Sequence, residues 1–154
     1  MVLRLAVCLL AVGSLSCGAS PGVTQPTTTS TVAGLLAAGS WELRVDRVWA
    51  GAPGSVMYPT DELAESDFRP SPSPIKYSMI FSAQATAVSI GDSPTMKGTL
   101  ASQTDQRVMY WLKEGLFAGG RLVIWQAGQE LQGELTIYGS GVPIVKSERG
   151  KVVR

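Results

Sequence analysis

Turn-forming residues divide the chain from Lys76 onwards into short segments that begin about ten residues apart. The turn signals are GDSP at 91–94, SQTD at 102–105, AGG at 118–120, AGQ at 127–129 and GSG at 139–141. Apolar and polar residues alternate in several segments, which is typical of strands with one buried face, and helical spacing is not sustained. The pattern therefore predicts seven strands, at 76–82, 85–90, 96–102, 107–113, 120–126, 131–138 and 142–147.

One more strand is predicted upstream, in the segment WELRVDRVW that begins at Trp41. Trp41, Leu43, Val45 and Trp49 are assigned to one face of it, because side chains of a strand alternate between its two faces. About eight strands with short connections indicate an antiparallel meander, which protects its edges by closing into a barrel or by splitting into a sandwich. We therefore predict an all-β fold, a barrel with a β-sandwich as the alternative. The segment RLVIWQ at 121–126 is apolar on both faces, so we expect it to be covered on both sides.

The start of the first strand resembles a motif of the lipocalins and their barrel relatives. Gly39-Ser40-Trp41 is similar to the G-x-W of that family. The resemblance implies a lipocalin-like barrel in which the tryptophan plugs the closed end. It also implies that an arginine near the last strand packs across this tryptophan as a cation–π contact. Arg149 and Arg154 are the candidates for that arginine.

The N-terminus has the organisation of a secretory signal peptide. A positive region at Arg4 precedes the apolar run LAVCLLAV, and small residues follow it. The run is too short to cross a bilayer, which takes about 20 apolar residues. Residues 1–16 are therefore predicted to be a signal peptide.

The segment LSCGAS at 15–20 resembles the cleavage region of bacterial lipoproteins. Cys17 matches the acylated cysteine of that family and Ser16 the small residue before it. Leu15 lies one place closer to the cysteine than in the family pattern. The resemblance implies lipid on the thiol and the new amino group of Cys17, and an envelope location. By analogy Gly18, where some lipoproteins carry an aspartate, favours the outer membrane. Ordinary cleavage and release as a secreted or soluble periplasmic protein is the alternative.

Two segments are predicted to be irregular. Residues 17–38 are rich in Thr, Ser, Pro and Gly, which is typical of a flexible tether between anchor and domain. Residues 50–74 are predicted to form a long irregular loop within a domain that spans 39–154. Thr60 is placed to cap one or two helical turns in this loop, and prolines 70, 72 and 74 favour extended chain after them.

The composition argues against several kinds of chemistry. There is no histidine, and the two cysteines, Cys8 and Cys17, both lie near the N-terminus. The folded part therefore lacks the usual general base, a thiolate nucleophile and the usual zinc ligands. Thirteen basic against twelve acidic residues give no electrostatic case for nucleic acid. The acidic group Asp61, Glu62, Glu65 and Asp67 lacks the spacing of a calcium loop and is interpreted as a solvated turn. No enzyme activity, metal or cofactor is predicted.

Two functional hypotheses remain open at this point. In the first, the barrel binds a small apolar or amphipathic ligand. The candidates for lining the barrel or contacting that ligand are Trp41, Tyr110, Trp111 and Trp125. In the second, the domain is a structural or protein-interaction module of the cell envelope, with the 50–74 loop facing an envelope protein. The predicted partners are the membrane, through the lipid anchor, and either a small apolar ligand or an envelope protein.

Overall fold

Eight antiparallel strands close into one barrel in the computed structural model, which describes residues 30–51, 63–91, 96–113, 119–138 and 144–154. The strands are β1 (Ser40–Trp49), β2 (Phe68–Phe81), β3 (Ala87–Ile90), β4 (Met96–Gln103), β5 (Arg107–Leu112), β6 (Gly119–Ala127), β7 (Glu130–Tyr138) and β8 (Ile144–Val153). Each strand pairs with the next along the chain, and β8 pairs with β1. The predicted all-β barrel is confirmed, and the sandwich alternative is not what forms.

A short helix, α1 (Val32–Leu36), packs at one end of the barrel. Thr31 caps it by accepting a hydrogen bond from the Gly34 amide at 3.1 Å. Val32 and Leu36, one helical turn apart, are fully buried in the core. The Val32 amide also donates to the Asp105 carbonyl in the β4–β5 turn. The sequence predicts a tether that extends to residue 38, but the part of the chain that packs on the barrel already begins at α1. Cys17 and the rest of that segment lie outside the described residues.

Strand β2 begins earlier than predicted, and residues 68–74 are strand rather than loop. Ile75 pairs with Val45 and Pro70 pairs with Arg47, so residues 71–74 face a single residue of β1. This large bulge accommodates prolines 72 and 74, which have no amide hydrogen to donate to a β-ladder. The described part of the predicted helical turns, Glu65–Asp67, is a single 3₁₀ turn. Thr60, Asp61 and Glu62 lie outside the described residues.

The end of the barrel next to α1 is filled by side chains from all around the wall. The largest fully buried ones include Leu43, Met79, Tyr110, Leu122, Ile124 and Leu135. The Tyr110 hydroxyl donates to the Ala85 carbonyl at 2.7 Å, and burial raises the pKa of this phenol to about 12. Elsewhere in the interior Gly98 allows close packing, because a Cβ there would lie 2.8 Å from side-chain atoms of Leu112 and Val88. We call this filled side the closed end.

Trp41 lies at the closed end and packs against the core beside α1. Its indole folds back over Gly39, where a Cβ would lie only 2.4 Å from the Trp41 Nε1 atom. The guanidinium carbon of Arg154 is 5.0 Å from the centre of the Trp41 ring. Arg149, the other arginine considered for this contact, lies elsewhere, on the outer face of the barrel.

Candidate functional site

Part of the outer face of strands β6, β7 and β8 is buried, although outward positions of a single barrel normally meet water. Six outward-facing residues there are at most 8% exposed; they are Arg121, Val123, Glu134, Thr136, Ser147 and Arg149. Strand β6 is therefore covered on both sides, as its sequence predicts. Charged groups in such a position need partners, because water no longer solvates them.

Glu134 is the centre of the ionic network on this face. Its Oε2 atom accepts from Arg149 Nη2 at 2.6 Å, and its Oε1 atom accepts from Arg121 Nη2 at 3.2 Å. The Thr136 hydroxyl donates to Oε1 at 3.1 Å. All of these groups come from neighbouring strands, with Arg121 paired to Thr136 and Glu134 paired to Arg149 in the ladders. The barrel register therefore brings two guanidinium groups to one buried carboxylate.

The segment Leu63–Phe68 lies over this network and is held by Arg149. Arg149 Nη2 donates to the Leu63 carbonyl at 3.1 Å, and Nη1 donates to Glu65 Oε2 at 2.7 Å. The Arg149 guanidinium stacks on the Phe68 ring, 4.0 Å from its centre, and lies 5.6 Å from that of Trp125. We call Leu63–Phe68 the strap. It belongs to the 50–74 loop predicted to face a partner, and it packs on the barrel.

Glu65 completes the attachment of the strap by pairing with two arginines, Arg47 and Arg149. Partial burial opposes ionisation of this carboxyl. The hydrogen bonds from Arg47 and Arg149 outweigh that effect and hold the pKa of Glu65 below its usual value. Glu65 is therefore charged whenever the pH is near neutral.

A cavity of about 410 Å³ lies between the strap, the β4–β5 turn and the outer face of β6 and β7. The apolar part of its described lining consists of Leu63, Val123 and Trp125. The charged part consists of Arg107, Arg121, Glu134 and Arg149, and the uncharged polar part of Thr104, Gln106 and Gln126. Three guanidinium groups and one carboxylate therefore line the cavity, and Arg149 also pairs with Glu65 beside it. An apolar surface beside convergent cations suits a small anion with an apolar body.

The four candidate aromatic residues do not come together. Trp125 lines the outer cavity, and Trp111 packs half-buried on the same face in a cluster with Leu63 and Tyr138. Trp41 and Tyr110 are packed in the barrel interior. Arg121 and Glu134 were missed from the sequence because polar residues at alternate positions normally indicate a solvated face. The apolar outer residues of RLVIWQ were the signal that this face is covered.

No protein-family model matches this chain, and neither a curated protein nor a solved structure matches it. Within the described ranges no helix is long and apolar enough to cross a membrane. Across the same residues no group of three or more acidic, cysteine or histidine side chains is placed to hold a metal ion.

Proposed function

We propose that this β-barrel domain is a non-catalytic binding module for a small amphipathic anion, held in the cell envelope by a lipid anchor on Cys17. The outer cavity is the observation that supports the proposal. Its volume of about 410 Å³ is within the range of small-molecule sites. Leu63, Val123 and Trp125 offer apolar contact to the body of the ligand, and Arg121 and its neighbours offer guanidinium donors.

A carboxylate is the head group that fits this wall best. The planar guanidinium group matches the geometry of a carboxylate and forms short, charge-assisted hydrogen bonds with it. Arg107, Arg121 and Arg149 all line this cavity, so several guanidinium groups lie within one site. The flat indole of Trp125 suits an aromatic or alicyclic body.

The lipid anchor is supported by the leader at 1–16 and by the lipoprotein-like sequence around Cys17. The described chain enters the barrel through α1 at the closed end. The outer membrane, with the domain in the periplasm, is the location that Gly18 favours by analogy.

The ligand proposal is tested by titrating the protein with 2-naphthoate in a calorimeter. We expect saturable binding that weakens about tenfold or more in Arg121→Met, since a hydrogen bond to a charged group contributes about 1.5–3 kcal/mol. Trp125→Leu should also weaken binding. Trp111→Leu is the matched control, because Trp111 lies on the same outer face but is not among the described residues that line the cavity. Equal affinity in the parent, Arg121→Met and Trp125→Leu would place 2-naphthoate elsewhere and contradict the proposal.

Native mass spectrometry of the protein extracted from membranes tests the anchor and the natural ligand together. We expect a mass increase that corresponds to acyl chains on the fragment beginning at Cys17, and a retained small acid that is lost in Arg121→Met. An unmodified mature chain recovered from the soluble fraction would contradict the anchor without affecting the cavity.

A further inference from the structure

A second cavity lies on the outer face of the barrel, over strands β3, β4 and β5. Its volume is about 320 Å³, which is at the lower end of the range of small-molecule sites. The side chains that face it alternate with the core positions Val88, Gly98 and Leu112 of the same strands. They belong to Ala87, Ser89, Lys97, Thr99, Trp111 and Lys113. None of the described residues that line the outer cavity is among them.

Two lysines, Lys97 and Lys113, lie opposite each other on this face. The Lys113 amide donates to the Lys97 carbonyl at 3.0 Å, which continues the pairing of β4 with β5 by one residue. Ser89 of β3 pairs with Lys97 on its other side. Like charges opposite each other on one sheet face oppose strand pairing, and an anion held between them relieves that repulsion. The row of Ser89, Lys97 and Lys113 therefore favours a negatively charged group.

Trp111 lies in the next row of the same face, beside two short side chains. Thr99 pairs with Trp111, and Ala87 pairs with Thr99. Because neither of them reaches as far from the sheet as an indole does, a space remains next to the Trp111 ring. The ring is half-buried and packs against the cluster of Leu63 and Tyr138. It is therefore held in place before a ligand arrives, which lowers the entropic cost of binding.

Solvent reaches the second cavity directly across the sheet face. Ala87, Lys97, Thr99 and Lys113 are exposed, and Ser89 is half-buried. A ligand here buries little apolar surface beyond one face of an indole, so its affinity depends on stacking and on polar contacts. The second cavity therefore suits a more hydrophilic ligand than the amphipathic acid proposed for the outer cavity.

We propose that the second cavity binds one unit of an acidic saccharide. One face of a pyranose ring presents C–H bonds and stacks on the apolar face of Trp111. The carboxylate of the unit accepts from Lys97 and Lys113, and charge-assisted hydrogen bonds of this kind are the stronger ones. The hydroxyl groups of Ser89 and Thr99 are placed to bond with those at the edge of the sugar ring.

The two halves of the second cavity together select this ligand. A neutral sugar gains the stacking contact with Trp111 but not the attraction of Lys97 and Lys113. A simple anion gains that attraction but not the stacking contact, and the acidic saccharide gains both. Because the two cavities share no described lining residue, each can be tested without the other.

Calorimetric titration with trigalacturonate tests the site, and maltotriose, a neutral sugar with the same number of rings, is the reference. The parent protein should bind trigalacturonate saturably and about tenfold or more tightly than maltotriose, because hydrogen bonds to a charged group are roughly twice as strong as neutral ones. The difference should shrink as salt is added, since salt screens exposed charges. Absence of saturable trigalacturonate binding, or equal affinity for the two sugars, would overturn the inference.

Single substitutions locate the site. Lys113→Met should weaken trigalacturonate binding about tenfold or more and leave maltotriose binding nearly unchanged, whereas Trp111→Leu should weaken both. Lys151→Met is the matched control, because it removes one positive charge from an exposed ion pair on β8. Trp125→Leu should leave both affinities unchanged, which separates this result from the fate of the outer cavity. An equal loss in Lys113→Met and Lys151→Met would show that only the overall charge matters and would contradict the site.

Nuclear magnetic resonance of the isotope-labelled parent protein provides a measurement that needs no variant to fold. Trigalacturonate should shift the indole N–H signal of Trp111 and the amide signals of Thr99 and Lys113. The indole signals of Trp41 and Trp125 should stay in place. Shifts confined to Trp41 or Trp125 would place the sugar elsewhere and overturn the inference.

Discussion

Arg149 and Glu134 face each other on adjacent strands of the barrel wall, with Nη2 and Oε2 2.6 Å apart and both residues at most 8% exposed. The same guanidinium group holds the strap through the Leu63 carbonyl and Glu65. This single contact therefore joins the barrel wall to the segment that covers the outer cavity. Its consequences can be measured.

Removal of the Glu134 charge should destabilise the domain strongly. Glu134→Gln leaves Arg121 and Arg149 buried without their carboxylate, and breaking a buried pair in this way costs about 3–5 kcal/mol. The matched control is Glu130→Gln on the same strand, because Glu130 pairs with Lys151 at the surface with both side chains at least half exposed. An exposed pair contributes less than about 1 kcal/mol. Urea unfolding measures both, and equal losses in the two variants would rule out the buried network.

The strap should loosen in acid. The pKa of Glu65 is lowered in the folded protein, so its contribution is present above its ordinary value of 4.5 and is lost as the pH falls below that value. The effect is small because Glu65 is 65% exposed and solvent screens its ion pairs. The free energy of unfolding should therefore fall less steeply with acidification in Glu65→Gln than in the parent. Parallel pH profiles of the two proteins would show that Glu65 is not coupled to folding.

Substitution of Gly39 should disrupt the packing of Trp41. A Cβ at Gly39 would lie 2.4 Å from Trp41 Nε1, so Gly39→Ala forces the indole to move and should cost about 1–3 kcal/mol, as overpacking does. Gly34→Ala in α1 is the control, since the nearest atom there, Thr31 Oγ1, is 3.3 Å away. Thermal unfolding should show a clearly larger loss for Gly39→Ala. A smaller loss than that of Gly34→Ala would contradict the described position of the indole.

Substitutions of the two cysteines test the proposed lipid anchor. Cys17→Ser should move the protein from the membrane to the soluble fraction, because it removes the proposed site of acylation, whereas Cys8→Ser in the apolar run of the leader should not. Fractionation followed by immunoblotting measures the distribution. A Cys17→Ser protein that sediments with membranes as the parent does would rule out the anchor.

Much of the barrel could be predicted from local patterns. The strands β5 and β7 lie within a residue of the predicted 107–113 and 131–138, because turn residues bound them and their alternation is regular. The helix α1 was missed because its two buried residues stand among small residues that resemble a linker. The early start of β2 was hidden by its prolines, which a bulge accommodates.

The outer site depends on contacts between distant parts of the chain, and local patterns do not report these. Arg121 and Glu134 occupy outward positions that the alternation assigns to water. Their burial depends on Leu63 and the rest of the strap, which are separated from Arg121 by four strands in the sequence. Trp125 could be proposed as a ligand-contact residue because it is a tryptophan, but the sequence did not predict the cavity that it lines.

The pairing of β1 with β8 also has a consequence for the order of folding. Glu42 pairs with Val153, so the first and last strands can meet only after β8 has been synthesised. Until then β1 lacks one of its two neighbours, and contacts of such long sequence separation form late and slowly. The timing of barrel closure is therefore set by the final strand rather than by the first.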